Sequence, residues 1–145
     1  MRRVRLLALC ALLLAGPGGC IATLFTDPMG YHAAFDDTQR QYTNYLRWGQ
    51  IEKASGIVDP ALREAFLKQA SAFEGLRITD YERGEVAYLG NRATVTVTYA
   101  GYALDTFIER KIREDQQWYR EDGSARWRVR SDVAVFARAS EGAQR

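Results

Sequence analysis

Strict alternation of apolar and polar positions marks the stretch from Arg92 to Val135. Between Arg92 and Tyr99, Ala93, Val95, Val97 and Tyr99 share one parity, and Thr94, Thr96 and Thr98 the other. A period of two in β-branched residues is that of a strand with one buried and one wetter face. Tyr102 to Leu104 extends it past Gly101, where a glycine permits a bulge or bend. A second run, Thr106 to Tyr119, sets Ile108, Ile112 and Trp118 against Lys111, Arg113, Asp115 and Gln117. Glu121 to Ser124 is then a hairpin turn, because Asp122-Gly123 supplies the positive φ a tight turn needs. A third run, Arg126 to Val135, sets Trp127, Val129, Val133 and Val135 against Arg126, Arg128, Arg130 and Asp132. Upstream, Leu76 to Leu89 reads as the first strand, with a break near Gly84, and Leu89 to Arg92 turns into the next.

Before residue 76 the period changes. From Tyr31 to Ala54, Phe35, Thr38, Tyr42, Tyr45, Leu46 and Gly49 recur at steps of three and four, the stripe of an amphipathic helix. Ser55-Gly56 ends it. Asp59-Pro60 starts a second helix, with Asp as cap and Pro at the first helical position. Its buried face is Leu62, Ala65, Phe66, Gln69 and Phe73, and Glu74-Gly75 closes it. Residues 137–145 read as a frayed tail. The predicted fold is α+β: a long N-terminal helix and a short second helix packed on a curved four-stranded antiparallel meander, a cystatin-like roll spanning residues 31–136. Strands this long in a small domain must twist and curl, which leaves a concave face for the helix.

The first 19 residues carry a different signal. Arg2, Arg3 and Arg5 precede an apolar run from Leu6 to Ala15, about half the ~20 residues a membrane-spanning helix requires. With Gly18 and Gly19 directly before Cys20, the segment resembles a bacterial lipoprotein leader. That resemblance implies a chain maturing at an acylated Cys20, with residues 20–30 as a lipidated tether. The alternative is an ordinary secretory leader cut near Ala22. The cysteine pattern favours acylation: the two cysteines are Cys10 and Cys20, so no pair is left for a disulfide in the domain. Each buried acyl methylene contributes about 0.8 kcal/mol of membrane affinity. Ile21 stands where an Asp would mark inner-membrane retention in such lipoproteins, so the expected address is the periplasmic face of the outer membrane. With the leader removed, 17 of the 20 basic residues remain against 18 acidic ones, and no nucleic-acid footprint follows.

Tyr45 to Gly49 (YLRWG), Val58 to Leu62 (VDPAL) and the hairpin Trp118 to Val129 (WYREDGSARWRV) resemble small bacterial lipoproteins of the nuclear transport factor two-like, or cystatin-like, superfamily. The resemblance implies the fold and an envelope address. It leaves activity open, because such folds host isomerases, dehydratases and non-catalytic binding domains. Tyr42, Tyr45, Tyr99, Trp118 and Trp127 are the candidate lining of a pocket between helix and sheet, or its filled core. The expectation is a non-catalytic domain without cofactor or metal, held at the membrane through Cys20, that binds an envelope protein or an apolar ligand. A homodimerisation module is one alternative. The other is a small isomerase- or dehydratase-like enzyme with a carboxylate–tyrosine pair in the concave cavity, its carboxylate being Asp80, beside Tyr42 or Tyr45, or Asp105. His32 with Asp36 and Asp37 is a weak metal-ligand set. Lys111, Arg113, Arg126, Arg128 and Arg130 read more simply as a solvated face with cross-strand ion pairs than as an anion-binding patch.

Overall fold

The computed structural model describes residue 27 and residues 29–141; Cys20, the leader and the end of the tail lie outside the described residues. The chain divides into two units, Met1–Gly30 and Tyr31–Arg145, and the helices and strands below belong to the second.

Helix α1, Tyr31–Arg47, buries Phe35, Gln39, Tyr42, Thr43 and Leu46 along one stripe. It stops seven residues before the periodicity suggested. Gly49 stands at φ +65°; its N–H reaches Leu46 O at 3.1 Å, and the Gln50 N–H reaches Tyr45 O at 2.8 Å. These paired bonds form a Schellman cap, which a glycine at positive φ makes cheap. Gly49 is therefore an exposed helix stop and not part of the apolar stripe, and the chain restarts as α2, Ile51–Ser55.

Asp59 caps the next turn as its sequence position suggests, its Oδ1 accepting the Ala61 N–H at 2.9 Å. The single helix expected here is two short ones, α3 (Arg63–Lys68) and α4 (Ser71–Glu74). Between them Gln69, Ala70, Ala72 and Phe73 all donate to the carbonyl three residues back, a tighter winding than the α-helix that interrupts its register.

The strands are β1 (Leu76–Arg83), β2 (Ala87–Leu89), β3 (Arg92–Ala103), β4 (Glu109–Arg120) and β5 (Trp127–Ser131). They are antiparallel in the order β1-β3-β4-β5, with β2 paired to the start of β3. β1 and β2 are thus one strand of the expected meander, interrupted at Gly84. β1 also bulges between Ile78 and Asp80, opposite Gly101. A Cβ on Gly101 would lie 2.7 Å from Arg77 O, so the close approach of β1 to β3 requires glycine there. On its other side β5 is not a bare edge: the Asp59 N–H donates to Val129 O at 2.9 Å and the Val129 N–H to Ile57 O at 3.1 Å.

The last strand ends four residues before Val135. Asp132 Oδ1 accepts the Ala134 N–H at 3.0 Å and starts a further helix, α5, Ala134–Glu141. Val133 and Phe136, both buried, are three residues apart, a helical step that reads equally well as the end of an alternating strand. Residues expected in a frayed tail, 137–141, are helical.

The core lies between the helices and the inward face of the sheet. Phe35 of α1 meets Trp118 and Trp127 edge-on, with centroids 5.5 and 5.2 Å away. Tyr42 meets Trp118 at 5.7 Å. Farther along the sheet Phe136 of α5 packs on Tyr99 at 5.2 Å and on Phe73 at 4.6 Å.

Candidate active site

Alternation along β4 puts Ile112, Glu114, Gln116 and Trp118 on the inward parity, and all four are buried. Two of them are polar, which apolar packing alone does not call for. Glu114 has 0% exposure. A carboxylate at that depth is costly unless its lone pairs are filled, and here four donors fill them. Tyr42 Oη from α1 donates to Oε1 at 3.0 Å, and Ser131 Oγ from the end of β5 donates to the same oxygen. Tyr99 Oη from β3 donates to Oε2 at 2.7 Å, and Gln116 Nε2 also at 2.7 Å.

Register makes this cage possible. Tyr99 pairs with Ile112 and Ser131 with Gln116, so the two side chains flank Glu114 from the neighbouring strands on the inward face. Tyr42 reaches it from above because α1 lays its buried stripe across that face. Gln116 is oriented in turn: its Oε1 accepts Trp118 Nε1–H at 3.1 Å and Gln39 Nε2–H at 3.4 Å, while Gln39 also donates to Thr43 Oγ1 at 3.0 Å.

All four donors to Glu114 are neutral. Burial raises its pKa above the ordinary carboxylate value, and the bonds from Ser131, Gln116, Tyr99 and Tyr42 pull partly back. Burial, followed by the neighbouring Glu114, pushes both Tyr42 and Tyr99 well above the usual tyrosine value, so both remain donors at neutral pH. The arrangement is an enclosed carboxyl group, raised in pKa by burial, between two phenols that stay protonated at neutral pH.

The structure brings together two of the five candidate lining residues at this point, Tyr42 and Tyr99. Trp118 supports Gln116, and Trp127 is turned away to donate to Tyr31 O at 2.9 Å. Tyr45 is half-buried, with Lys53 Nζ 5.8 Å from its ring centroid. Asp80 is not the carboxylate: its side chain is 78% exposed and stands 4.0 Å from Arg47. Asp105 is exposed as well. The β1 bulge and the β3–β4 turn carry these two acids to solvent, so the version of the enzyme reading that relied on them fails. That reading required a buried carboxylate touching a tyrosine hydroxyl in a closed cavity; Glu114 supplies the carboxylate and the contact, within a filled core. The signal in the sequence was an acid and an amide on the apolar parity of an otherwise alternating strand.

His32 stacks on Tyr88 with centroids 4.0 Å apart, and Asp36 pairs with Arg83 at 2.7 Å and Asp37 with Arg40. Among the described residues no cluster of three metal-ligating side chains occurs. On the outer face of the sheet, Arg113 pairs with Asp115 at 3.3 Å and Arg130 with Asp59 at 2.5 Å. A groove of about 550 Å³ also opens there, lined by Leu89, Arg92, Thr94, Gln117, Tyr119 and Arg130 among others. It lies on the opposite side of the sheet from Glu114.

No family model and no curated protein matches the chain. Solved structures do. A SEC-C motif containing protein from Rhodopseudomonas palustris superposes with a TM-score of 0.55 at 14% identity, over 66% of this chain and 74% of that one. A candidate isomerase from the same organism gives 0.49 at 18%, over 75% and 96%. A candidate SnoaL-like polyketide cyclase from Mesorhizobium loti gives 0.40 at 14%, over 66% and 97%. At these identities the likeness is one of fold. The α+β fold expected from the sequence, helices packed on an antiparallel sheet, is the one found. The expectation of a non-catalytic domain is corrected by the geometry: the inward face of the sheet holds the enclosed carboxylate–tyrosine contact on which the enzyme alternative depended.

Proposed function

We propose that the chain is a small acid–base enzyme, isomerase- or dehydratase-like, that moves a proton on the carbon next to a carbonyl group. One observation carries this reading: a fully enclosed Glu114, raised in pKa by burial, in direct contact with two tyrosine hydroxyls. As the base, the Glu114 carboxylate takes the proton from the α-carbon. The electron pair of the broken C–H bond moves onto the carbonyl oxygen, which a hydroxyl released by Tyr42 or Tyr99 stabilises as the enolate. Where a β,γ-double bond extends the enolate, Glu114 returns the proton to the γ-carbon and completes an isomerisation. Where the β-carbon carries a hydroxyl, Glu114 gives the proton it took to that oxygen, the C–O bond breaks and water leaves, which completes a dehydration. No cation is needed, because the developing charge passes from one hydrogen-bonded oxygen to another.

The test is α-proton exchange. Full-length protein is incubated in deuterated water with a panel of enolisable ketones, and loss of the α-proton signal is followed by NMR. Wild-type protein accelerates exchange, and Glu114→Gln lowers the rate at least ~100-fold, the low end of what a positioned acid–base group contributes. Exchange no faster than in buffer for every ketone, or an undiminished rate in folded Glu114→Gln, sinks the reading. The leader adds a proposed address: an acylated Cys20 places this activity at the periplasmic face of the outer membrane, which intact-mass analysis of protein extracted from membranes tests directly.

A further inference from the structure

Glu114 has 0% exposure, so a substrate reaches it only after something moves. Four elements enclose the Tyr99–Glu114 pair: α1 through Tyr42, β3 and β5 through the sheet, and α5 through Phe136. The first three are tied by polar bonds to the rest of the fold. α1 alone has Trp127 Nε1–H on Tyr31 O at 2.9 Å, Asp36 on Arg83 at 2.7 Å and Arg47 on Thr79 O at 2.5 Å. α5 is different. Among the described residues, the side-chain bonds of residues 132–140 are internal: Asp132 caps Ala134 and pairs with Arg138 at 3.3 Å, and Ser140 donates to Ala137 O at 2.8 Å. Among the described residues, what seats the helix is apolar packing, chiefly of Val133 and Phe136.

The position of that packing is specific. The Phe136 ring lies between Phe73, at 4.6 Å and 36°, and Tyr99, at 5.2 Å and 66°. Tyr99 is also the side chain whose hydroxyl stands 2.7 Å from Glu114 Oε2. A flat ring in place of Phe136 would therefore lie on the same tyrosine that holds the carboxylate. We infer that α5 is a displaceable cover, and that the slot its Phe136 ring fills is the seat for the apolar part of a substrate one aromatic ring wide that carries an enolisable carbonyl. The inference rests on the acid–base reading of Glu114 and adds to it which element opens and what shape enters. Local opening ahead of global unfolding is the behaviour the inference assigns to this helix, because among the described residues it is seated by apolar packing without side-chain polar ties to the sheet.

Amide hydrogen exchange on the full-length chain tests the cover, with acetophenone as the probe for the seat. The α5 amides exchange ~100-fold faster than those of α1 and β4, and acetophenone increases their exchange further while protecting the β3 amides around Tyr99. Phe136→Leu, which vacates part of the slot and keeps an apolar side chain on the helix, binds acetophenone roughly tenfold more tightly than wild type. Exchange of α5 in step with α1 and β4 overturns the inference, as does acetophenone binding on the outer face of the sheet. If Phe136→Leu does not fold, the two wild-type exchange measurements decide alone. Acetophenone seated against Tyr99, with no α-proton exchange accelerated on it or on any other ketone of the panel, leaves the cover and its slot standing and removes the acid–base role of Glu114, so the two failures are distinguishable.

Discussion

Tyr99→Phe probes the cage around Glu114 most directly, because it deletes a single hydroxyl and leaves the ring that Phe136 and the core pack against. The deleted bond, 2.7 Å to Oε2, leaves that oxygen with Gln116 as its one remaining donor of the two. A hydrogen bond to a buried ionised acceptor contributes ~1.5–3 kcal/mol, against about 1 kcal/mol for a neutral one. The cost should therefore depend on the charge of Glu114. Its folded pKa is raised above 4.5, chiefly by burial, so its contribution to stability is fully present below the unfolded value and is lost as pH rises through the folded one. Removing a donor that favours the charged form raises that pKa again and deepens the loss. Urea denaturation at pH 4 and pH 8, followed by tryptophan fluorescence, measures both ends. Tyr99→Phe is expected to lose about 1 kcal/mol at pH 4 and ~1.5–3 kcal/mol at pH 8. A penalty that is equal at the two pH values, or that vanishes at pH 8, would show that Glu114 never carries a charge in the folded protein and cannot act as a base.

Other consequences of the structure are open to similar tests. Gly101→Ala places a methyl group 2.7 Å from Arg77 O; neither backbone can yield without parting β1 from β3, so a loss of ~1–3 kcal/mol is expected in chemical denaturation, and unchanged stability would refute the close approach. Asp59→Ala removes the cap on Ala61 and the partner of Arg130; the cap alone contributes about 1 kcal/mol. The pKa of Asp59 is lowered from 3.8, first by the Ala61 N–H and then by Arg130, so this contribution is present above that value and disappears as pH falls through the lower folded one. Wild type and Asp59→Ala should thus converge in thermal stability in strong acid and separate at neutral pH. In Tyr42→Phe, loss of the other phenol should reduce α-proton exchange while leaving the far-ultraviolet circular dichroism unchanged; full retention of exchange would leave Tyr99 as the stabilising hydroxyl.

The periods of the sequence determined the first helix, the antiparallel strands and their order along the chain. Alternation in β3 and β4 named Val95, Val97, Tyr99, Ile112 and Trp118 as inward, as found, because a strand facing a core leaves little choice of parity; Ile108, expected beside them, precedes β4 and is 57% exposed. The step of three and four in α1 did the same for Phe35, Tyr42 and Leu46. Where two periods coincide, pattern was not enough. Val133 and Val135 fit a strand as well as Val133 and Phe136 fit a helix, and it is the apolar slot between Phe73 and Tyr99 that selects the helix. The end of α1 was fixed by a backbone conformation at Gly49, not by hydrophobicity. The candidate site lay further still from sequence. Glu114 was legible as an acid on the apolar side of a strand, but its chemistry depends on Tyr42, Tyr99 and Ser131, which lie 72, 15 and 17 residues away along the chain. Only the pairing register and the line of α1 across the sheet bring those hydroxyls to one carboxylate. A pKa is raised by what surrounds a group in space, and no spacing along the chain contains that information.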